Sequence, residues 1–356
     1  MTSHKSGYHV LGVMSGTSLD GIDLAEVFFN ISGDGQWAFE LGHTETVPYS
    51  EQWKRRLREA VSYAKPDLEQ LDDDYTELLS NIISEFLQQN EISELDAVCS
   101  HGHTILHEPH NGVTLQIGNQ PQLAARIGQM VVCDFRVQDV TLGGQGAPLV
   151  PIGDRLLFGS YDYCLNLGGF ANVSFEKTGD RIAYDVCPVN IVLNRYAEKL
   201  GMAYDDGGAT AASATVDESL LDRLNHLPYY AQDPPKSLGL EWVVTHIFPM
   251  LEDAGLSPDV VLATFTRHVA IQLSNQFDNK SSVLITGGGA YNNYLIEQLS
   301  GLCEIQIEIP APKLIEYKEA LIFALLGVLR LRGEVNCLAS VTGANRDHSS
   351  GVIFQP

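Results

Sequence analysis

From Gly12 to Asp23 the chain reads Gly-Val-Met-Ser-Gly-Thr-Ser-Leu-Asp-Gly-Ile-Asp. Seven of the nine positions 15–23 are glycine, hydroxyl or carboxylate residues, more than a plain hairpin turn requires. Gly16 and Gly21 let the backbone turn with its N–H groups exposed. Ser15, Thr17 and Ser18 add hydroxyl donors, and Asp20 and Asp23 offer the hard oxygen ligands that Mg²⁺ takes. A triphosphate and its metal require this combination.

Two more glycine runs have related character. Asn166–Ser174 places Gly168 and Gly169 between two strand-like runs. It repeats the strand, glycine turn, strand arrangement and is suited to grip phosphates from the opposite side. Gly287, Gly288 and Gly289 follow a strand and precede a helix, so a nucleotide base and ribose could lie flat against their backbone. Tight helix–strand packing is the plainer reading of that run. No G-x-x-x-x-G-K-[ST] and no G-x-G-x-x-G occur, and Asp134-Phe135-Arg136 is not D-F-G. P-loop enzymes, dinucleotide-binding units and protein kinases are therefore excluded.

Asp185 is the candidate base. It closes a strand and precedes a helix, where a carboxylate can take a proton from a hydroxyl or water; helix capping is the other role open to it. His101, His103, His107 and His110 invite a zinc reading. No paired cysteine, H-E-x-x-H or helical spacing accompanies them, so a polar loop touching substrate through His103 and Thr104 is preferred. The run Gly143–Pro148 carries no base or nucleophile and reads as a tight turn at a hinge or substrate wall.

These groups must be held by α/β elements. Strands are expected at 8–13, 24–30, 37–47, 96–100, 113–117, 130–134, 163–167, 171–175, 181–185, 283–285 and 303–307. Leu68, Leu71, Tyr75, Leu78, Leu79, Ile82, Ile83 and Phe86 fall at helical spacing. Later helices are expected at 191–200, 238–254, 257–277, 292–300 and 318–332, with loop or lid material at 201–237. Strands, helices and a further strand near the start recur in the middle. This duplication predicts two related α/β halves with a cleft between them.

The bulk properties agree. A chain of 356 residues, 44% apolar and 19% charged, is long enough for two globular domains. Its formal charge of -23 disfavours nucleic acid and anionic membranes as partners. Six cysteines without a C-x-x-C pair read as reduced core thiols of a cytoplasmic protein. The apolar run 320–329 is far shorter than a membrane span.

The motifs resemble the anhydro-N-acetylmuramic acid kinase family, within the actin/hexokinase/Hsp70-like ATPases, from about residue 8 to 354. The most specific match is Met14–Asp23. Ser100–Thr104, Gln116–Gly118, Val131–Arg136, Gly143–Pro151, Asn166–Ser174, Pro235–Ser237, Gly287–Asn292 and Lys318–Ala320 support it. The resemblance implies two ribonuclease H-like (actin-like ATPase) domains with an interdomain cleft, expected at 1–137 with 335–356, and at 138–334. It implies ATP and Mg²⁺ as cofactors, a small-molecule sugar as substrate and a homodimer.

Such a kinase phosphorylates O6 of 1,6-anhydro-N-acetylmuramic acid while water opens the anhydro ring. By position Asp185 matches the family's base, and Arg136, Asn190 and Glu319 match its sugar-side residues. The family pattern D-T-G-P-G-N reads Asp-Val-Cys-Pro-Val-Asn here, so Cys187 and Val189 are expected to reshape the sugar pocket. His103 stands where the family commonly has Gln.

Overall fold

The computed structural model describes residues 5–16 and 18–356. The chain forms two compact units, residues 1–157 with 317–356, and residues 158–316. The division expected from the sequence falls at 137 and 334 instead. Three contacts tie the intervening residues to the first unit. Arg136 Nη1 donates to the Gly146 carbonyl at 2.6 Å, Thr342 Oγ1 to Asp139 Oδ1 at 2.7 Å, and Arg332 Nη1 to the Lys5 carbonyl at 3.0 Å.

In the first unit the strands are β1 (Gly7–Ser15), β2 (Gly21–Ile31), β3 (Trp37–Pro48), β4 (Ala97–Glu108), β5 (Val113–Ile117) and β6 (Val131–Cys133), with β12 (Val352–Phe354) from the chain's end. Among the described residues they make one seven-stranded sheet in the order β12-β6-β4-β1-β2-β3, with β5 beside β4. β1, β2 and β3 form an antiparallel meander, and β4 and β6 continue it in parallel. β12 was not expected. It is three residues long and pairs with β6 across a long stretch of chain, which leaves no local signature.

The helix Lys65–Gln89 buries Leu71, Tyr75, Leu79, Ile83 and Phe86, a stripe at steps of four and then three residues, in the core with Leu11, Val98 and Ile117. Burial of each such side chain contributes roughly 1.5–3 kcal/mol. The helix Pro312–Arg332 is buried on every side from Ala320 to Leu329. It can lie flat on the sheet because glycines face it. A side chain at Gly12 in β1 would meet the Ala320 carbonyl at 2.1 Å, and one at Gly327 would meet Cys99 Sγ of β4 at 2.2 Å. No helix among the described residues is long and apolar enough to cross a membrane.

The second unit holds β7 (Tyr163–Leu167), β8 (Phe170–Lys177), β9 (Asp180–Pro188), β10 (Ser282–Thr286) and β11 (Gln306–Glu308) in the order β11-β10-β7-β8-β9. β7, β8 and β9 form an antiparallel meander, and β10 and β11 continue it in parallel. The segment expected to be loop or lid contains a packed helix, Glu218–Asn225. Asp217 caps it through the Leu220 N–H, and Leu220, Leu221 and Leu224 are buried. The expected helix at 238–254 widens at Val243–Ile247, where the Phe248 N–H reaches back to the Val243 carbonyl. Pro249 follows and lacks the N–H that a regular turn would use. No disulfide forms among the described residues.

Candidate active site

The β1–β2 turn carries the first glycine run. Ser15 and Ile22 are the last paired residues, and the Leu19 N–H closes on the Gly16 carbonyl at 3.3 Å. Thr17 lies outside the described residues. Leu19 turns inward and is 8% exposed, leaving Ser18 and Asp20 outside. Asp23 is half-buried on β2 and accepts from Thr46 Oγ1 at 2.7 Å. A side chain at Gly16 would meet nothing closer than Ser18 Oγ at 3.5 Å, whereas one at Gly21 would strike the Val47 carbonyl at 2.5 Å. Gly21 therefore serves strand packing, and Gly16 has no such reason in the described fold.

Behind the turn runs a buried polar chain. Ser15 Oγ bonds Tyr49 Oη at 2.6 Å and His103 Nδ1 at 2.8 Å, and Tyr49 bonds Tyr75 at 2.6 Å. Burial lowers the His103 pKa to about 4, so its ring is neutral at pH 7. Half-buried Thr104 accepts from Gln116 at 3.3 Å.

Next to it, Arg136 donates through Nε to His101 Nε2 at 2.8 Å and through Nη1 to the Gly146 carbonyl at 2.6 Å. His101 Nδ1 contacts the Gly102 carbonyl, which can only accept, so the ring is the neutral Nδ1–H tautomer. Burial, then the guanidinium, pushes the His101 pKa well down. Burial also brings Arg136 down to about 10, opposed by Glu319, and Arg136 stays charged. Glu319 reaches solvent yet is surrounded by protein. That crowding raises its pKa, Arg136 opposes the rise and Asp23 adds to it. His107 is exposed on Thr114. Among the described residues, no three clustered metal-binding side chains include any of the four histidines.

In the second unit the other two glycine runs meet. Asn190 Nδ2 donates to the Leu167 carbonyl at 3.3 Å, and the N–H groups of Val189 and Asn190 bond the Gly169 and Gly168 carbonyls. Gly287 and Gly289 sit against Leu167, where added side chains would approach to 2.8 and 2.7 Å. At Gly168, Gly169 and Gly288 the nearest contacts would be 3.4, 3.9 and 3.8 Å. Those positions leave room for a ligand, although the Gly168 N–H is already bonded to the Phe170 carbonyl at 3.1 Å, while Gly287 and Gly289 are demanded by packing.

Asp185 lies within β9, which continues to Pro188 rather than ending at it. Ala171 faces Cys187 while Asn172 faces Asp185, so Val186 is an extra residue. Such a bulge re-aims the side chains beside it. The Leu238 N–H donates to Asp185 Oδ2 at 2.8 Å, the Asp185 N–H bonds the Lys236 carbonyl, and Tyr229 Oη donates to the Asp185 carbonyl at 2.6 Å. Burial raises the carboxyl's pKa and the Leu238 N–H opposes the rise. Cys187 and Val189 are each 0% exposed in the apolar core. Both pack within the core of the second unit.

Sequence reasoning did not single out Tyr49, Tyr75, Tyr229 or Asp139 as supporting residues. Asp139 holds the Gly143–Pro148 turn, accepting from the Gly146 N–H at 2.7 Å. Only the motif-rich run beside it hinted at this.

Two units that repeat one strand order, each with open glycine backbone at its first turn, define an actin-like ATPase fold. The sequence model of the anhydro-N-acetylmuramic acid kinase family matches residues 8–356. The anhydro-N-acetylmuramic acid kinase of Methylorubrum populi is 34% identical over 380 residues, covering 97% of this chain and 98% of that protein. The Haemophilus influenzae protein of the same name is 33% identical over 386 residues, covering 99% of each. This chain belongs to the anhydro-N-acetylmuramic acid kinase family, and that membership makes it a sugar kinase that uses ATP. A xylulose kinase from Lactobacillus acidophilus aligns over 98% of this chain and 94% of its own, at 12% identity and a TM-score of 0.44. So distant a likeness adds nothing to the strand order.

Proposed function

We propose that the chain transfers the γ-phosphoryl of ATP to O6 of 1,6-anhydro-N-acetylmuramic acid while water opens the anhydro ring, giving N-acetylmuramic acid 6-phosphate for cell-wall recycling. The carrying observation is Asp185, a crowded carboxylate on a bulged strand, oriented by the Leu238 N–H. Asp185 takes a proton from water, and the water oxygen bonds carbon 1. The bond from carbon 1 to O6 breaks, and O6 takes the phosphoryl group as ADP leaves. Crowding suits the base, because a carboxylate short of solvation holds a proton more strongly.

The open backbones at Gly16, Gly169 and Gly288 are suited to N–H contacts with ATP, while the Gly168 N–H is held by the Phe170 carbonyl at 3.1 Å and that residue would offer only room. Asp20 and Asp23 fit Mg²⁺ by donor type, with Asp20 exposed at the turn and Asp23 half-buried beside it. Bound there, the ion would neutralise phosphate charge. Arg136, Thr104, Asn190 and Glu319 would hold the sugar. His103 would act from behind, as a neutral ring fixing Ser15. Positioning and charge neutralisation carry most of the rate of a phosphoryl transfer. A homodimer and a cytoplasmic setting belong to the same reading.

Purified chain mixed with ATP, Mg²⁺ and the anhydro sugar tests it. A product heavier by one phosphoryl group (HPO3) plus one water is expected. Gain of the phosphoryl group without water, or no transfer to this sugar, would contradict the proposal.

A further inference from the structure

Asp139, Cys337 and His348 bring a carboxylate oxygen, a thiol sulfur and an imidazole nitrogen within 4.8 Å of one another, all buried. Backbone fixes the three. Cys337 and His348 face each other across an antiparallel bridge, each N–H bonded to the other's carbonyl at 3.1 Å. Asp139, in the short helix Val137–Thr141, is tied to the same segment by Thr342 Oγ1, which donates to Oδ1 at 2.7 Å.

The histidine is the informative member. Its Nδ1 contacts the Arg346 carbonyl at 3.2 Å, and a carbonyl can only accept, so Nδ1 carries the hydrogen. In the neutral ring, Nε2 then presents a lone pair. Nε2 makes no hydrogen bond, belongs to a residue 6% exposed, and stands 3.6 Å from Asp139 Oδ1. Two electron-rich atoms facing each other in a buried place call for a cation between them. A charged imidazolium would close to about 2.7–2.9 Å on a carboxylate. Two donors each ~2.1 Å from one tetrahedral ion would instead lie about 3.4 Å apart.

We propose that Asp139, Cys337 and His348 bind a zinc ion. Sulfur and imidazole nitrogen disfavour Mg²⁺ and Ca²⁺, which prefer oxygen, and suit zinc. On binding, the Cys337 thiol gives its proton to solvent and its sulfur bonds the metal. One thiolate and one carboxylate then balance the dication, so the buried site is neutral. The ion would staple the C-terminal segment to Asp139. Asp139 holds the Gly146 N–H, and the Gly146 carbonyl accepts from Arg136. The inference is independent of the substrate reading.

The test uses the full chain, stripped with a chelator under reducing conditions, then titrated with Zn²⁺ or Co²⁺ in excess Mg²⁺. Equimolar zinc uptake is expected. The Co²⁺ form should show near-ultraviolet thiolate-to-cobalt absorption that Cys337→Ser removes. His348→Gln should weaken zinc binding by about two orders of magnitude. The wild-type spectrum stands whether or not a variant folds. Absence of the thiolate band in wild type, or its survival in Cys337→Ser, would overturn the proposal.

Discussion

The two units share a sheet plan and differ in what they hang on it. Each has an antiparallel meander continued by parallel strands. In the first, the leading turn carries Asp20 and is backed by Ser15, His103, Tyr49 and Tyr75, with Arg136 and His101 alongside. In the second, the leading turn is the uncharged pair Gly168-Gly169, and the proposed base, Asp185, sits on the third strand instead, at a bulge. On the proposed reading the repeated fold divides its labour, with the metal carboxylates in the first unit, the base in the second and open glycine backbone for ATP in both.

The largest effect should come from the base. Asp185→Asn is expected to lower turnover by about three to five orders of magnitude with ATP binding retained. Near-normal turnover would end the division. The rate of wild type should also fall on acidification at a higher pH than an ordinary aspartate would give, since Asp185 must be ionised and its pKa is raised.

Next comes acid stability. The depressed pKa values of His101 and His103 in the first unit and His268 in the second mean that unfolding takes up protons. Stability is therefore full above about 6.5 and is lost as pH falls, down to about 4 for His103 and about 3 for His268. Each contributes a slope of about 1.4 kcal/mol per pH unit in its window. Urea melts across that range would measure it, and a flat profile would count against the neutral rings. His103→Gln, which cannot titrate, should lessen the slope.

A glycine pair sharpens the second unit's role. Gly287→Ala should cost roughly 2 kcal/mol or more of stability, from its positive φ and its clash with Leu167. Gly288→Ala should leave thermal stability nearly unchanged and raise the KM for ATP roughly tenfold, a loss of ~1.4 kcal/mol. Equal melting temperatures for the two variants would refute the distinction between packing and open glycines. The smallest effect is expected from Tyr49→Phe, about 1 kcal/mol of stability from the broken link between Ser15 and Tyr75.

Much of this was legible in the sequence for local reasons. Glycine runs between alternating apolar segments announce strand turns, and the stripe from Leu71 to Phe86 announces its helix. The duplicated strand order followed from those. Which glycines face a ligand was not legible, because the answer depends on distant partners such as Val47 for Gly21 and Leu167 for Gly287. Nor did the spacing tell that Cys187 and Val189 turn into the core, since a bulge at Val186 resets the alternation. Tyr49 and Tyr229 carry no motif and enter only through tertiary contact. The helix Glu218–Asn225 was hidden by the glycines and prolines around it.

The central claim is that Asp185 primes water for attack on carbon 1 while O6 receives the phosphoryl group. Turnover in water enriched in heavy oxygen, with the sugar product reduced at once to block exchange, tests it most directly. The account predicts the label on carbon 1 and none in the phosphate, with labelling abolished in Asp185→Asn. Label in the phosphate, or a labelled sugar formed as fast by the variant, would contradict it.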